Sequence, residues 1–278
     1  MPPTADQVEA ALNGRFTDTT PLAPGGQGTV FRAMRRFGPE RQTVDDDVAI
    51  KVYSTHVEGE RVDREIDLML GIRHRCLPVL LEHAAVPMNG EQHRVVVWEF
   101  VDGTPLVDRI AVGPLPLREV AVIGRDVASA IAAIWSKRVV HRDVKPANIM
   151  IRSQPNEAVL VDLGAARHLD ASTITQFGFT LGTVGYLSPE QARTEKNLTC
   201  KSDIYSLGVV LMECLSGAHP TGRNQVALTN ASLTTTTVAP MAPVRLAKLL
   251  DSMLLPRAAH RPTPEAAAIE FDHLAGML

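Results

Sequence analysis

Three polar side chains crowd into one short run. Asp143, Lys145 and Asn148 belong to His141-Arg142-Asp143-Val144-Lys145-Pro146-Ala147-Asn148, and Asp162 follows in Val161-Asp162-Leu163-Gly164. Carboxylates and a carboxamide supply hard oxygen donors for a divalent cation, and a lysine supplies charge for an anion. Far upstream, Lys51 closes the run Val48-Ala49-Ile50-Lys51, and before it comes the turn Gly25-Gly26-Gln27-Gly28. Glycines there let backbone N–H groups approach an anion closely, because no Cβ intervenes. Together the four pieces suit a highly charged anion. Singly, each has a plainer reading. Asp143 and Asn148 can cap a loop as Asx turns, Lys51 can be a solvated edge charge, and the glycine turn can be an ordinary hairpin.

These residues need elements to hold them. Residues 48–53 and 94–100 are short runs with β-branched and aromatic residues, which predicts strands. Val62, Ile66, Met69 and Leu70 recur at helical spacing, and Gly71 and Pro78 lie beyond that helix's end. After Asp102-Gly103-Thr104-Pro105 the texture becomes helical. Residues 117–137 carry Val120, Ile123, Val127, Ile131 and Ile134 on one face. Residues 202–215 are apolar nearly all round, which predicts a helix inside a domain, ended by Gly217. A last helix is expected over 265–275, and 234–237, four threonines before Pro240, reads as a loop. The reading is α+β: a β-rich first part, a connector over 99–105 and a larger helical part.

Taken in order, these motifs resemble those of the eukaryotic-like (Hanks-type) protein Ser/Thr kinase family, with Tyr186-Leu187-Ser188-Pro189-Glu190-Gln191-Ala192 pointing to bacterial members. The resemblance covers about residues 16–271. It implies a bilobal kinase fold, with an N-lobe at 1–98, a hinge at 99–105, a C-lobe at 106–278 and an activation segment at 162–190. It implies ATP and Mg²⁺, with Mn²⁺ as the other divalent ion, as cofactors. Asp143 becomes the catalytic base, Lys145 neutralises charge near the γ-phosphate, and Asn148 and Asp162 ligate the metal. Lys51 holds the α- and β-phosphates and pairs with Glu65, which flanks the apolar stripe one turn before Met69. Glu58 and Glu60 compete for that pairing, but lie nearer the helix start, where acids serve the dipole. Gly25, Gly26, Gly28, Val30, Ala49, Glu99 and Val101 contact the nucleotide, and Trp98 stands either as a bulky gatekeeper at the rear of the adenine pocket or as a core tryptophan behind the hinge. Ala23 replaces the first glycine of the loop and Leu163 the usual phenylalanine after Asp162.

The resemblance also assigns Thr183 to the acceptor site and Thr173, Thr175 and Thr180 to activation by phosphorylation, Thr175 matching best. Arg142 goes with that mode of regulation. Glu190 is expected to pair with Arg261, and Asp203 to hold the backbone of the catalytic loop. Protein substrates with Ser or Thr acceptors follow as partners, with a homodimer for phosphorylation in trans. A pseudokinase that binds partners or nucleotide is the main rival reading. A small-molecule phosphotransferase ranks below it, because such enzymes lack the Pro-Glu ending of the activation segment.

Composition sets the outer bounds. The 278 residues are 45% hydrophobic and 21% charged, which excludes a disordered chain. A net charge of −3 offers no field for nucleic acid or an anionic membrane. Only six of the 28 basic residues are Lys. Cys76, Cys200 and Cys214 read as small buried hydrophobes rather than a disulfide framework. No signal peptide and no apolar run long enough to span a membrane stand out, so the chain reads as cytoplasmic.

Overall fold

The computed structural model describes residues 2–25, 28–37, 43–55, 63, 66–67, 69–162, 167–168, 185–230 and 233–278. The chain divides into two compact units. The first comprises residues 1–73 and 78–101, and the second comprises 74–77 and 102–278.

The first unit is an antiparallel sheet with one short helix, α1 (Ala5–Ala11), against it. Its strands are β1 (Phe16–Gly25), β2 (Gly28–Phe37), β3 (Thr43–Tyr53), β4 (Leu80–Met88) and β5 (Glu91–Glu99). They lie in the order β1-β2-β3-β5-β4. Side chains alternate across a pleated strand, so Val48, Ile50 and Val52 share one face of β3. They form a core with Val8 and Leu12 of the helical end and Phe16, Phe31, Val95 and Val97. Helix α1 starts at a capping box between Thr4 and Gln7.

The opposite face carries Lys51. Val30 and Val96 flank Lys51 on the two neighbouring strands, and Arg32 and Trp98 flank Ala49. Gly25 pairs with Gly28 where β1 turns into β2. Glycine at 28 is dictated by packing, since a Cβ there would lie 2.1 Å from the Val52 carbonyl oxygen.

Of the helix expected around Glu65, Asp63, Ile66, Asp67 and Met69 are helical; Val62 and Glu65 lie outside the described residues. Ile66 and Met69 are buried as the periodicity requires. Leu70 is 47% exposed, contrary to that periodicity, because it already stands in the turn that Gly71 completes at φ +85.

The second unit begins, beyond residues 74–77, with strand β6 (Gly103–Pro105), followed by α2 (Leu106–Val112), α3 (Leu117–Trp135) and strands β7 (Val139–Val140), β8 (Ile149–Arg152), β9 (Ala158–Leu160) and β10 (Arg167–His168). Helices α4 (Pro189–Ala192), α5 (Cys200–Ser216), α6 (Gln225–Asn230), α7 (Thr235–Val238), α8 (Val244–Met253) and α9 (Pro264–Met277) complete it. The periodic residues Val120, Ile123, Val127, Ile131 and Ile134 of α3 are all buried. Helix α5 is buried at Cys200 and over Ser202 to Cys214, and ends at Gly217 with φ +73.

Residues 234–237 are not the loop expected from their threonines. They enter α7, whose Thr235 is fully buried. Its N–H and hydroxyl both donate to the Asp251 carboxylate, at 2.6 and 2.8 Å. Three free cysteines are buried, and burial pushes the thiols of Cys76 and Cys200 up to about 12.

Candidate active site

The loop from β7 to β8 holds Asp143, Lys145 and Asn148 in mutual contact. Lys145 Nζ donates to Asp143 Oδ2 at 2.7 Å. The Asn148 amide nitrogen donates to the same Oδ2 at 2.9 Å and to the Asp143 carbonyl at 2.8 Å. Both partners of that nitrogen are acceptors, which fixes the orientation of the amide and leaves Oδ1 as the donor atom for a cation. Asp143 Oδ1 is buried and accepts no hydrogen bond among the described residues. A buried acceptor left open is costly in a resting protein and suits a group that receives a ligand's hydrogen.

Strand β9 delivers Asp162 beside this loop, because the Val161 N–H donates to the Asn148 carbonyl at 2.9 Å. Asp162 adopts φ +59 and Arg142 φ +70. Non-glycine residues in the left-handed region cost about 1–3 kcal/mol and persist where surroundings over-determine them. Here the surroundings are explicit. Asp203, in the first turn of α5, accepts the N–H of His141 at 2.9 Å and of Arg142 at 2.8 Å. Burial raises the Asp203 carboxyl above its ordinary value, while His141, the two N–H donors and the Arg142 charge pull it down.

The other side of Arg142 is held by a residue the sequence reading passed over. Gln191 Nε2 donates to the Arg142 carbonyl at 3.0 Å. Its Oε1 accepts from the Ser188 N–H and hydroxyl, closing a capping box at the start of α4. The Ser188-x-x-Gln191 spacing is itself a capping signature, so the cap was open to inspection in the sequence, although its partner Arg142 was not.

Glu190 and Arg261 meet in the buried interior of this unit. Arg261 Nη1 and Nη2 donate to the two carboxylate oxygens at 2.6 and 2.9 Å. The remaining donors of Arg261 reach the carbonyls of Leu255, Lys201 and Pro256, and its guanidinium lies over the Tyr205 ring. All five donors are thereby satisfied, which is what a buried guanidinium requires. The Ser202 hydroxyl adds a bond to Glu190 at 2.7 Å.

In the sheet unit, Lys51 is buried with its ammonium 5.0 Å from the centre of the Tyr53 ring. Val30 and Ala49 share its face. Glu99, paired with Val48, closes β5, where its N–H donates to the Val79 carbonyl at 2.8 Å and its carboxylate accepts the Val79 N–H at 3.2 Å. Val101, two residues on, is buried. Gly26, Glu65, Thr173, Thr175, Thr180 and Thr183 lie outside the described residues.

A family model for the protein kinase domain matches residues 16–270. The chain is 36% identical over 219 residues to the serine/threonine-protein kinase pkn2 of Myxococcus xanthus, covering 75% of this chain and 25% of that protein. It is 34% identical over 223 residues to the serine/threonine-protein kinase PknL of Mycobacterium tuberculosis, covering 78% and 53%. Against the serine/threonine-protein kinase PrkC of Bacillus subtilis it is 36% identical over 217 residues, covering 75% and 31%. The chain spans from a quarter to about half of these relatives' lengths. With the model match running from the first strand of the sheet to the last helix, the chain belongs to the protein kinase domain family.

Proposed function

We propose that the chain transfers the γ-phosphoryl group of ATP to Ser and Thr hydroxyls of proteins. The observation that carries this reading is the open Oδ1 of Asp143, buried beside an Oδ2 that Lys145 and Asn148 both hold. A Ser or Thr hydroxyl donates its hydrogen bond to Oδ1, and Asp143 then receives its proton. Lys145 and Asn148 hold Oδ2, so one carboxylate oxygen orients the group and the other does the chemistry. Lys145 neutralises charge on the phosphoryl group. Lys51, with Val30 and Ala49 on its face, takes the other phosphates. The donor set of Asn148 Oδ1 and the Asp162 carboxylate fits a hard divalent cation, Mg²⁺ or Mn²⁺, which supplies charge neutralisation at the phosphates when bound.

Names of the relatives support Ser/Thr specificity. Their protein substrates make proteins the expected partners here, a second copy of the chain among them for phosphorylation in trans. Thr173, Thr175 and Thr180 are the proposed acceptors in that reaction. ATP supply puts the reaction in the cytoplasm.

Intact-mass spectrometry after incubation with Mg²⁺ and ATP tests the proposal, with Asp143→Asn alongside. Added phosphate on the wild type and none on the variant is the expected result. No added phosphate on either, with a generic protein acceptor untouched and no rise in Tm with Mg²⁺-ATP, would transfer the weight to a non-transferring partner-binding module.

A further inference from the structure

The segment Gly185-Tyr186-Leu187 is gripped along its backbone by two side chains from beyond the end of α5, one in the loop that follows it and one at the start of α6. His219 Nε2 lies 2.8 Å from the Gly185 carbonyl. Gln225 Oε1 accepts the N–H of Gly185 at 3.0 Å and of Leu187 at 3.2 Å, and its Nε2 donates to the Leu187 carbonyl at 2.8 Å. The His219 ring also meets the Tyr186 ring edge-on at 5.0 Å, and the Tyr186 hydroxyl donates to Glu213 at 2.6 Å.

The tautomer of His219 follows from its neighbours. Its Nδ1 receives the backbone N–H of Arg223 at 2.8 Å and of Thr221 at 3.2 Å, so Nδ1 is the acceptor and the proton sits on Nε2, facing a carbonyl. Gly185 adopts φ +109, and a Cβ there would lie 2.8 Å from Arg223 Cα and 3.1 Å from His219 Nε2. The close approach of these two stretches of the chain therefore depends on glycine at 185.

This grip sits upstream of the catalytic loop on one continuous path. Gly185 leads through Leu187 and Ser188 into Gln191, and Gln191 donates to the carbonyl of Arg142, the residue before Asp143. We propose that His219 is a positioning residue for the protein acceptor: its Nε2–H sets the Gly185 carbonyl, and with Gln225 it fixes the backbone course of the segment that runs from Gly185 into α4, whose Gln191 holds the Arg142 carbonyl. The proposal deepens the kinase reading above and rests on it for its kinetic consequence.

Charged and titratable groups around the ring are Glu213 on α5, Arg223 in the following loop and Tyr186 opposite. Burial and Arg223 hold the imidazole below its ordinary pKa of 6.5, with the Gly185 carbonyl and Glu213 acting the other way. The ring is neutral at pH 7. A second proton would have to enter at Nδ1, against two N–H groups, and would drive the ring out of its seat.

Two isosteres separate this role from a merely structural one. His219→Gln keeps a donor at the Nε2 position and loses the acceptor at Nδ1. His219→Asn keeps the acceptor and loses the donor. Using myelin basic protein as acceptor, His219→Asn is expected to raise the acceptor KM tenfold or more with the ATP KM unchanged, and His219→Gln to stay within threefold of wild type. Lowering the pH below 6 raises the wild-type acceptor KM and leaves that of His219→Gln flat. The reverse order, with His219→Gln the worse variant, would mean that His219 only caps its own turn and would overturn the proposal. Hydrogen exchange at the Gly185 and Leu187 amides gives a readout independent of catalysis: faster exchange in His219→Asn than in His219→Gln is expected, and equal exchange in both and in wild type overturns the proposal. A wild type that transfers no phosphate to the acceptor sinks the kinase reading, while the exchange arm still decides the role of His219.

Discussion

Arg261 and Glu190 are 71 residues apart in sequence and meet through two hydrogen bonds of 2.6 and 2.9 Å, out of contact with water. The pair ties α4 to the loop before α9. Removing one partner leaves a buried charge without compensation, which costs about 3–5 kcal/mol. Arg261→Ala and Glu190→Ala are each expected to lower Tm by on the order of 10 °C, and the double variant to cost less than the sum of the two. Additive losses in thermal melts would show that the pair is not energetically coupled.

The same pair sets an acid limit. Burial alone would raise the Glu190 carboxyl, but the hydrogen bonds from Arg261 and Ser202 and the Arg261 charge lower it below 4.5 overall. The unfolded chain then takes up the proton first as pH falls. Stability from this group is complete above the ordinary glutamate value and is lost below it. Wild type is expected to lose Tm as the pH falls below the ordinary glutamate value more steeply than Glu190→Gln, and parallel profiles would refute that assignment.

Asp203 presents both carboxylate oxygens to the catalytic loop, one to each of two successive N–H groups. Asp203→Asn keeps one acceptor and turns an NH₂ toward the other N–H. A hydrogen bond to a charged group contributes about 1.5–3 kcal/mol, and Arg142 at φ +70 depends on it. The variant is expected to lose at least tenfold in kcat with little change in ATP KM. An unchanged kcat would show that the loop keeps its shape without Asp203.

Gly28 stands in the expected nucleotide loop, yet its Cβ position is occupied by the Val52 carbonyl of the next strand. Gly28→Ala therefore forces β2 and β3 apart before any nucleotide is bound. The expected result is a loss of about 1–3 kcal/mol in the nucleotide-free protein, read by urea unfolding. A variant with full stability and weakened ATP binding would make Gly28 a phosphate-loop residue only.

What the sequence disclosed, and what it hid, follows from separation along the chain. Asp143, Lys145 and Asn148 are neighbours in sequence, so their contact was legible, as were α3 and α5 from their apolar spacing. Helix α1 went unread because only Val8 and Leu12 mark its buried side, although Thr4 and Gln7 spell a capping box. Thr235 looked like part of a loop because its partner, Asp251, lies 16 residues on. Leu70 fitted the helical stripe and is exposed, since a period in the sequence does not say where a helix stops. The bonds from Gln191 to Arg142 and from His219 to Gly185 span 49 and 34 residues, and no local pattern announces such pairings.

Gln191 can be tested apart from its cap. Gln191→Glu keeps the Oε1 that accepts from Ser188 and replaces the donor to Arg142 with a second acceptor, setting oxygen against the Arg142 carbonyl. Gln191→Ala removes both sets of bonds. If the bond to Arg142 holds the catalytic loop, Gln191→Glu loses about tenfold in kcat, the equivalent of roughly 1.4 kcal/mol, while its Tm stays above that of Gln191→Ala. Steady-state kinetics and thermal melts of the two variants read this directly. A Gln191→Glu protein with wild-type kcat would mean that Asp203 alone fixes Arg142, and that the link from the end of the activation segment to the catalytic loop carries no functional load.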